Sequence, residues 1–527
     1  MSDWASGYVT DIGYTFGYYA EINPLRVHLA FGHAGLVSPR FDEACELGFG
    51  QGISVNIHAA ASTCQWSGTD FNPSHAGFAR EMAAASTAGA RLYDQSFLDF
   101  CRRDDLPDFD YIALHGIWSW VSDENRTIIV DFIRRKLKIG GVLYISYNTQ
   151  PGWAAAAPLR DLMTQHAEVL SAPGQGIVER IEKTIDFVER LMATNPMYAQ
   201  SNKGIINTIK QIKNLDKNYV AHEYFNRDWL PMSFARMSEF LSEAKLSFAC
   251  SANMLESVDA LHLTAEQSAF LAAIPDATFR QTTRDFMVNQ QFRRDYWVRG
   301  ARKLNAVEQI ERLRQLRFVL VRPRGDVSLT IKSNLGECAM QENVYAPILD
   351  VLADHKPQSL GQIERQLANQ GITFDQIRQA VLVLTGSGAL CPACEDGAAD
   401  TTRQTSAKLN RFIGTKARGS ADIQYVACPL TGGGINLGRF QQLFLLAHGQ
   451  MMNHASEYAR FVWDILSAQG QRIVKDGKTL ATMEDNITEI TAQAEYFLTK
   501  TLPILRGLGL LPDPMMAPHI DDSTAQL

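Results

Sequence analysis

No stretch of this sequence reaches about 18 uninterrupted apolar residues, the length a helix needs to cross a bilayer, so no membrane insertion is expected. The start, Met-Ser-Asp-Trp, lacks a basic segment followed by an apolar run, so no secretory signal is expected either. Cysteine is scarce, with 8 in 527 residues. Without a signal for export, these read as reduced thiols of a cytoplasmic protein rather than a disulfide framework. Cys391-Pro-Ala-Cys394 has no second pair of ligands at a suitable distance, so no metal is expected, and a turn after an apolar helix is preferred. Positive charge is also short. Lys and Arg number 50 against 57 Asp and Glu, a net charge of −7, which makes nucleic acid an unlikely partner.

What the sequence does contain is a long first stretch of short apolar runs alternating with helical segments. Asn23-Pro24 reads as an N-cap and first helical position, and Gly35 as the end of that helix. Strand signals follow at 41–47, 65–70, 90–93, 111–114 and 142–146, with a helix over 125–138. This alternation predicts βαβ units and a parallel sheet. From 155 to 225 only helical patterns appear. Strand signals return at 246–251 and 292–298. A hairpin over Phe318–Ile331, turning at Arg324-Gly325-Asp326, and three short helices at 345–353, 360–368 and 374–386 resemble a winged-helix module. Residues 395–420, rich in Ala, Thr, Gly and Lys, read as a polar linker. The last hundred residues read as helical, with a frayed tail after Pro512.

The strongest chemical signal is Glu46-Leu47-Gly48-Phe49-Gly50-Gln51-Gly52, at the end of an apolar run and the start of a helix. Glycines there let the backbone turn tightly and approach a ligand. Ile53 stands where a dinucleotide fingerprint needs glycine, and Gly52-Ile53-Ser54 lacks the lysine of a P-loop. The loop is therefore not built for a pyrophosphate or a triphosphate. Asp70 ends the next strand, followed by Phe71 and Asn72, and a carboxylate there suits a ribose diol, although Asp70-Phe71-Asn72-Pro73 also reads as a helix cap. At the third strand tip Asp94 and Ser96 compete for the polar contact to an adenine, with Ser96-Phe97 preferred.

Loop, acidic residue and third-strand tip fall in the order of class I S-adenosylmethionine-dependent methyltransferases, and Glu46–Gly52 with Asp70 resembles that superfamily. The resemblance implies a Rossmann-like α/β fold with a seven-stranded sheet, binding S-adenosyl-L-methionine across the strand ends. Glu46, Gly48, Phe49, Gly50 and Gly52 would flank its amino-acid portion, Asp70, Phe71 and Asn72 its ribose, and Ser96, Phe97, His115 and Gly116 the remainder. Asp110–Val121, Tyr147–Trp153 and Ala221–Asn226 look like segments of the rickettsial protein-lysine methyltransferases, the last within a methyltransferase regulatory domain. Gly13–Tyr19 departs from the lysine-modifying members. The resemblance implies a cofactor-binding core at 1–154, a helical insertion at 155–228, and the remaining catalytic strands with the regulatory region at 229–300. Beyond them it implies a winged-helix-like middle domain at 301–400 and a helical C-terminal domain at 421–527.

Methyl transfer to an amine requires a neutral acceptor, which at pH 7 costs a lysine about 4–5 kcal/mol. Aromatic walls supply part of this by disfavouring the ammonium. Trp118, Trp120, Asn148, Trp153 and His222 are therefore candidate acceptor contacts, and Tyr147, His115 and Glu223 candidate catalytic groups. The expected function is methyl transfer, foremost to lysine side chains of a bacterial envelope protein. A small-molecule or glycan acceptor is the first alternative, and a non-catalytic cofactor-binding or DNA-binding adaptor the second. A homodimer is compatible with each.

Overall fold

The computed structural model describes residues 8–10, 12–172 and 174–511; the tail after Pro512 lies outside them. Seven strands form one sheet: β1 (Glu43–Leu47), β2 (Gln65–Asp70), β3 (Arg91–Asp94), β4 (Phe109–Leu114), β5 (Leu137–Asn148), β6 (Leu246–Ser251) and β7 (Phe292–Arg299). Their order is β3-β2-β1-β4-β5-β7-β6, with β1 to β5 parallel and β7 antiparallel to both neighbours. β1 and β4 are buried almost throughout, as the continuous apolar runs of a sheet covered on both faces require. This is the expected Rossmann-like sheet.

Five helices position the site: α1 (Pro24–His33), α2 (Ile53–Ala61), α3 (Pro73–Ser86), α4 (Phe97–Cys101) and α5 (Asp123–Lys136). Asn23 caps α1 by accepting from the Leu25 amide, and Pro24 occupies its first turn. All nine residues of α2 are buried. Its three β-branched residues, Ile53, Val55 and Ile57, contribute roughly 1.5–3 kcal/mol each through burial.

The cover on α2 comes from the segment expected to be a linker. Residues Ala398–Ala417 form a 20-residue helix with Thr402, Ser406, Leu409, Ile413 and Ala417 on its buried side. Small and β-branched residues on that face let it lie against α2 and α3. Thr402 donates its hydroxyl to the Ala61 carbonyl at 3.2 Å, and Thr405 and Ser406 donate to the Ala60 carbonyl at 2.7 and 2.9 Å. They close the carbonyls that α2 leaves open at its C-terminus.

Between β5 and β6 the chain is helical, and Ile177–Ala193 and Ile205–Asn214 interlock Ile181, Ile185, Val188, Ile209 and Ile212 in a separate core. The middle region departs from the expected hairpin. Arg317–Leu320 pairs with Leu390–Ala393 and Gln358–Ser359, while Thr330–Ser333 turns back on Gly336–Ala339. The fully apolar Phe318–Leu320 belongs in a buried central strand, whereas Thr330–Ser333 has one buried residue in four. Cys391 and Pro392 accordingly lie in a strand rather than a turn. It is an edge strand, where the missing proline N–H costs no ladder bond. Among the described residues no helix is long and apolar enough to cross a membrane.

Candidate active site

The strand order reverses between β1 and β4, and the crevice above such a switch point is where open α/β sheets bind ligands. Gly48, Gly50 and Gly52 leave β1 with φ of +71°, +57° and +73°. A Cβ on Gly48 would meet Ile117 Cδ1 at 2.4 Å, and one on Gly52 would meet Ala79 Cβ at 2.4 Å. Above this loop lies a cavity of about 450 Å³. Gly48–Gln51 form its floor, and Asp70, Phe71 and His75 one wall. Gln95–Leu98 and His115–Ile117 form the others, and Tyr8, Tyr14 and Tyr19 cover it. Trp120, Glu124, Asn125 and Asn226–Asp228 surround its outer part.

Asp70 is fixed by its neighbours. One carboxylate oxygen accepts from the Gly50 amide at 2.9 Å, the other from the Asn72 amide at 3.0 Å, with His75 Nδ1 3.4 Å from the latter oxygen. Glu46 is 2% exposed and does not itself line the cavity, and among the described residues its Oε2 has no hydrogen-bond partner. Burial, aided by the negative charge of Asp70, pushes its carboxyl up to about 8. Gln95 Oε1 is likewise buried without a partner in the cavity wall. Orphaned polar atoms beside a glycine cradle fit a polar ligand that completes them. Ser96 and Phe97 both reach the cavity, Ser96 also capping α4 through the Asp99 amide; Asp94 is exposed outside it. Asn72 caps α3 by accepting from the Ser74 amide and does not line the cavity.

His115 stacks on Tyr19 with ring centroids 3.4 Å apart, and its Nδ1 lies 2.7 Å from the Tyr144 hydroxyl. Burial pushes the imidazole down to about 4, so it is neutral near pH 7. Gly116 donates its amide to Ser146 Oγ at 2.8 Å.

The acceptor-side expectations divide. Trp120 lines the cavity. Trp118 does not: it is fully buried against Phe240, with Nε1 donating to Met232 Sδ at 3.3 Å. Trp153 packs between Tyr224 and Trp229 in the core of the insertion. Tyr147 points away from the cavity and donates its hydroxyl to Asp295 at 3.0 Å, inside a buried network with Arg293 and Asp285. The tips of β4 and β5 are overlain by later helices, which turn these rings into core. Asn148 is buried beside Ser119 and Met232. His222 lies behind the cavity wall, its ring 5.0 Å from Tyr14 and 5.3 Å from Tyr8. Burial pushes Glu223 up to about 7, opposed by the Asn148 amide and the Arg160 guanidinium. Burial raises the phenols of Tyr8, Tyr219 and Tyr224, and neighbouring Tyr19 with burial that of Tyr14; the charge of Glu223 adds a smaller push to each.

Sequence reasoning missed the cover of Tyr8, Tyr14 and Tyr19, and the wall residues His75 and Gln95. The signal for the cover was the dense run of aromatics from Tyr14 to Tyr19.

The chain is 39% identical over 512 residues to the uncharacterized protein sll1526 of Synechocystis sp., covering 96% of this chain and 99% of that one. It is 29% identical over 195 residues to RP028 of Rickettsia prowazekii, covering 36% of this chain and 76% of that one. The family model described as a predicted methyltransferase regulatory domain matches residues 216–299. The structure of PKMT2 from Rickettsia typhi in complex with AdoHcy has a TM-score of 0.66 at 18% identity, covering 92% of this chain and 98% of that one. A second structure of PKMT2 gives 0.67 at 17%, covering 94% and 99%. At that identity the likeness is one of fold. The chain therefore belongs to one family with the Synechocystis protein, and in it a class I S-adenosylmethionine-dependent methyltransferase fold carries a methyltransferase regulatory domain.

Proposed function

We propose that the protein transfers a methyl group from S-adenosylmethionine to an amine, foremost a lysine side chain of a protein. The observation that carries this reading is the cavity at the β1–β4 switch point, with Asp70 fixed in its wall and polar atoms of Glu46 and Gln95 left without partners. PKMT2, which shares the fold, is known in complex with AdoHcy.

When bound, S-adenosylmethionine supplies a methyl group on a sulfonium that is open to in-line displacement. The glycine loop and Glu46 would hold the amino-acid portion, Asp70 would accept from the ribose hydroxyls, and Gln95, Ser96 and Phe97 would meet the adenine. His115, neutral and tied to Tyr144 at Nδ1, orients the cofactor rather than taking a proton. Tyr8, Tyr14 and Trp120 exclude water from the acceptor side and disfavour a charged amine there. Glu223 lies outside the cavity lining, within electrostatic reach of Tyr8 and Tyr14, and its negative charge would favour release of the acceptor's proton rather than take it up by direct contact.

Calorimetry with S-adenosylmethionine and S-adenosylhomocysteine tests the reading, followed by transfer of labelled methyl to cell extract. Micromolar binding with label in protein hydrolysed to methyl-lysine is expected. Label in a low-mass product reassigns the acceptor to a small molecule, and a folded protein that binds neither cofactor overturns the proposal.

A further inference from the structure

The cover over the cavity is an unusual piece of chain. Residues Ile12–Tyr19 adopt no helix or strand. Among the described residues, Ile12–Tyr18 make no backbone-to-backbone hydrogen bond. The segment is held by side chains of other elements. His222 Nε2 lies 3.2 Å from the Ile12 carbonyl, Gln51 donates to the Tyr14 carbonyl at 3.3 Å, and the Tyr19 amide donates to Ser54 Oγ at 2.8 Å. Gly434 donates its amide to the Tyr18 hydroxyl at 2.7 Å, and His58 Nε2 lies 3.4 Å from the Tyr19 carbonyl. The last contact is from the Tyr14 amide to His75 Nε2, at 3.4 Å.

That last contact fixes the state of His75. An amide N–H can only donate, so Nε2 must carry the lone pair and the ring proton sits on Nδ1. That tautomer places its protonated Nδ1 3.4 Å from the Asp70 carboxylate, a contact short of hydrogen-bond geometry, on one side and accepts from the strap on the other. His75 is 3% exposed and stands in the first turn of α3, whose start is fixed by the Asn72 cap. Both contacts are long, which leaves them room to shorten together.

We propose that His75 is a positioning residue that couples the Ile12–Tyr19 strap to Asp70, so that filling of the ribose site tightens the strap over the cavity. The proposal rests on the methyltransferase reading, because it needs a diol at Asp70. The second grip is His222, which lies within the regulatory domain at 216–299 and packs its ring on Tyr14. The strap is thus gripped by the cofactor wall at His75 and by the regulatory domain at His222, with Gly434 holding Tyr18, and its tightening presses Tyr14 and Tyr19, which already cover the cavity, onto the site where the methyl group is displaced.

Amide hydrogen exchange of the full chain, with and without saturating S-adenosylhomocysteine, tests this, with affinity measured in parallel by calorimetry. In the wild type the ligand is expected to slow exchange across 12–19 by about tenfold, the worth of one hydrogen bond gained. His75→Asn keeps a donor where Nδ1 stands but cannot reach Tyr14. At saturating ligand, the slowing at 12–19 is expected to be lost. His75→Gln is the mirror case. Its amide can reach Tyr14 but not Asp70, so affinity falls about tenfold and exchange at 12–19 no longer responds to ligand. If one variant fails to fold, the other carries the test. Slowing equal to wild type in either folded, ligand-saturated variant overturns the proposal, as does a wild-type strap that ignores bound ligand. A wild type that binds no ligand instead removes the methyltransferase reading, and calorimetry alone reveals that.

Discussion

The two ends of the cavity are built in opposite ways. At the cofactor end, Gly48–Gly52 and Asp70 are near neighbours in sequence, and backbone amides of the loop hold the carboxylate in place. At the acceptor end, the walls come from three remote segments, around Tyr8–Tyr19, Trp120–Asn125 and Asn226–Asp228, and side chains carry the contacts. A site made by local backbone has a fixed geometry once its sheet and the helices packed on it have formed. A site made by distant side chains depends on how several elements dock, and can be opened without disturbing the sheet.

The largest effect that sharpens this contrast is between two tryptophans only two residues apart. Trp118→Ala should cost about 3–5 kcal/mol of stability, read by denaturant unfolding, because it empties a packed core site. Trp120→Ala should leave stability within about 1 kcal/mol while slowing methyl transfer about tenfold. Equal destabilisation by both would erase the distinction. At the cofactor end, Asp70→Ala should weaken S-adenosylhomocysteine binding by about 100-fold, since two charge-assisted bonds to the ribose are lost and the amides of Gly50 and Asn72 are left unpaired. An unchanged dissociation constant would remove Asp70 from the ribose role.

A pH dependence comes next in size. Glu46 is raised in the folded free protein, so its contribution to stability is full below about pH 4.5 and is lost as pH rises through about 8. An ammonium held near it would favour the ionised form, so ligand binding releases a proton. Affinity should therefore increase from pH 6 to pH 8, by at most about tenfold per unit. Calorimetry in buffers of different ionisation enthalpy measures the released proton directly, and Glu46→Gln should flatten the slope. The smallest effect is Tyr147→Phe. It removes a hydroxyl from the Asp295 network, should cost about 1–2 kcal/mol of stability, and should leave cofactor affinity untouched.

Glu46–Gly52 and Asp70 were legible because their spacing constrains the backbone itself. A loop needing positive φ three times in five residues leaves glycine as its signature. The order of β1–β5 followed from the alternation of apolar runs with helices. What a side chain faces was legible only where its own strand decides it. Tyr147 turns toward Arg293 and Asp295 because β7 inserts beside β5, and nothing near residue 147 announces that neighbour. Trp153 was misjudged for the same reason, since the rings that pack on it, Tyr224 and Trp229, lie some 70 residues downstream. The helix Ala398–Ala417 was hidden by composition. Its 402–406–409–413–417 spacing is helical, but threonine, serine and alanine fill three of the five positions, and they read as linker residues.

That helix has a consequence for how the protein is made. The hydroxyls of Thr402, Thr405 and Ser406 finish the C-terminal turn of α2, the helix that the glycine loop opens. During synthesis, strands β1 to β5 leave the ribosome long before residue 398 does. Until then, α2 has exposed carbonyls and an apolar flank with nothing to cover it. The nascent chain can assemble its sheet early, yet the loop that would grip a nucleoside stays unsupported. Cofactor binding is thereby deferred to the finished polypeptide, and a chain truncated before residue 398 should fold its strands and bind nothing.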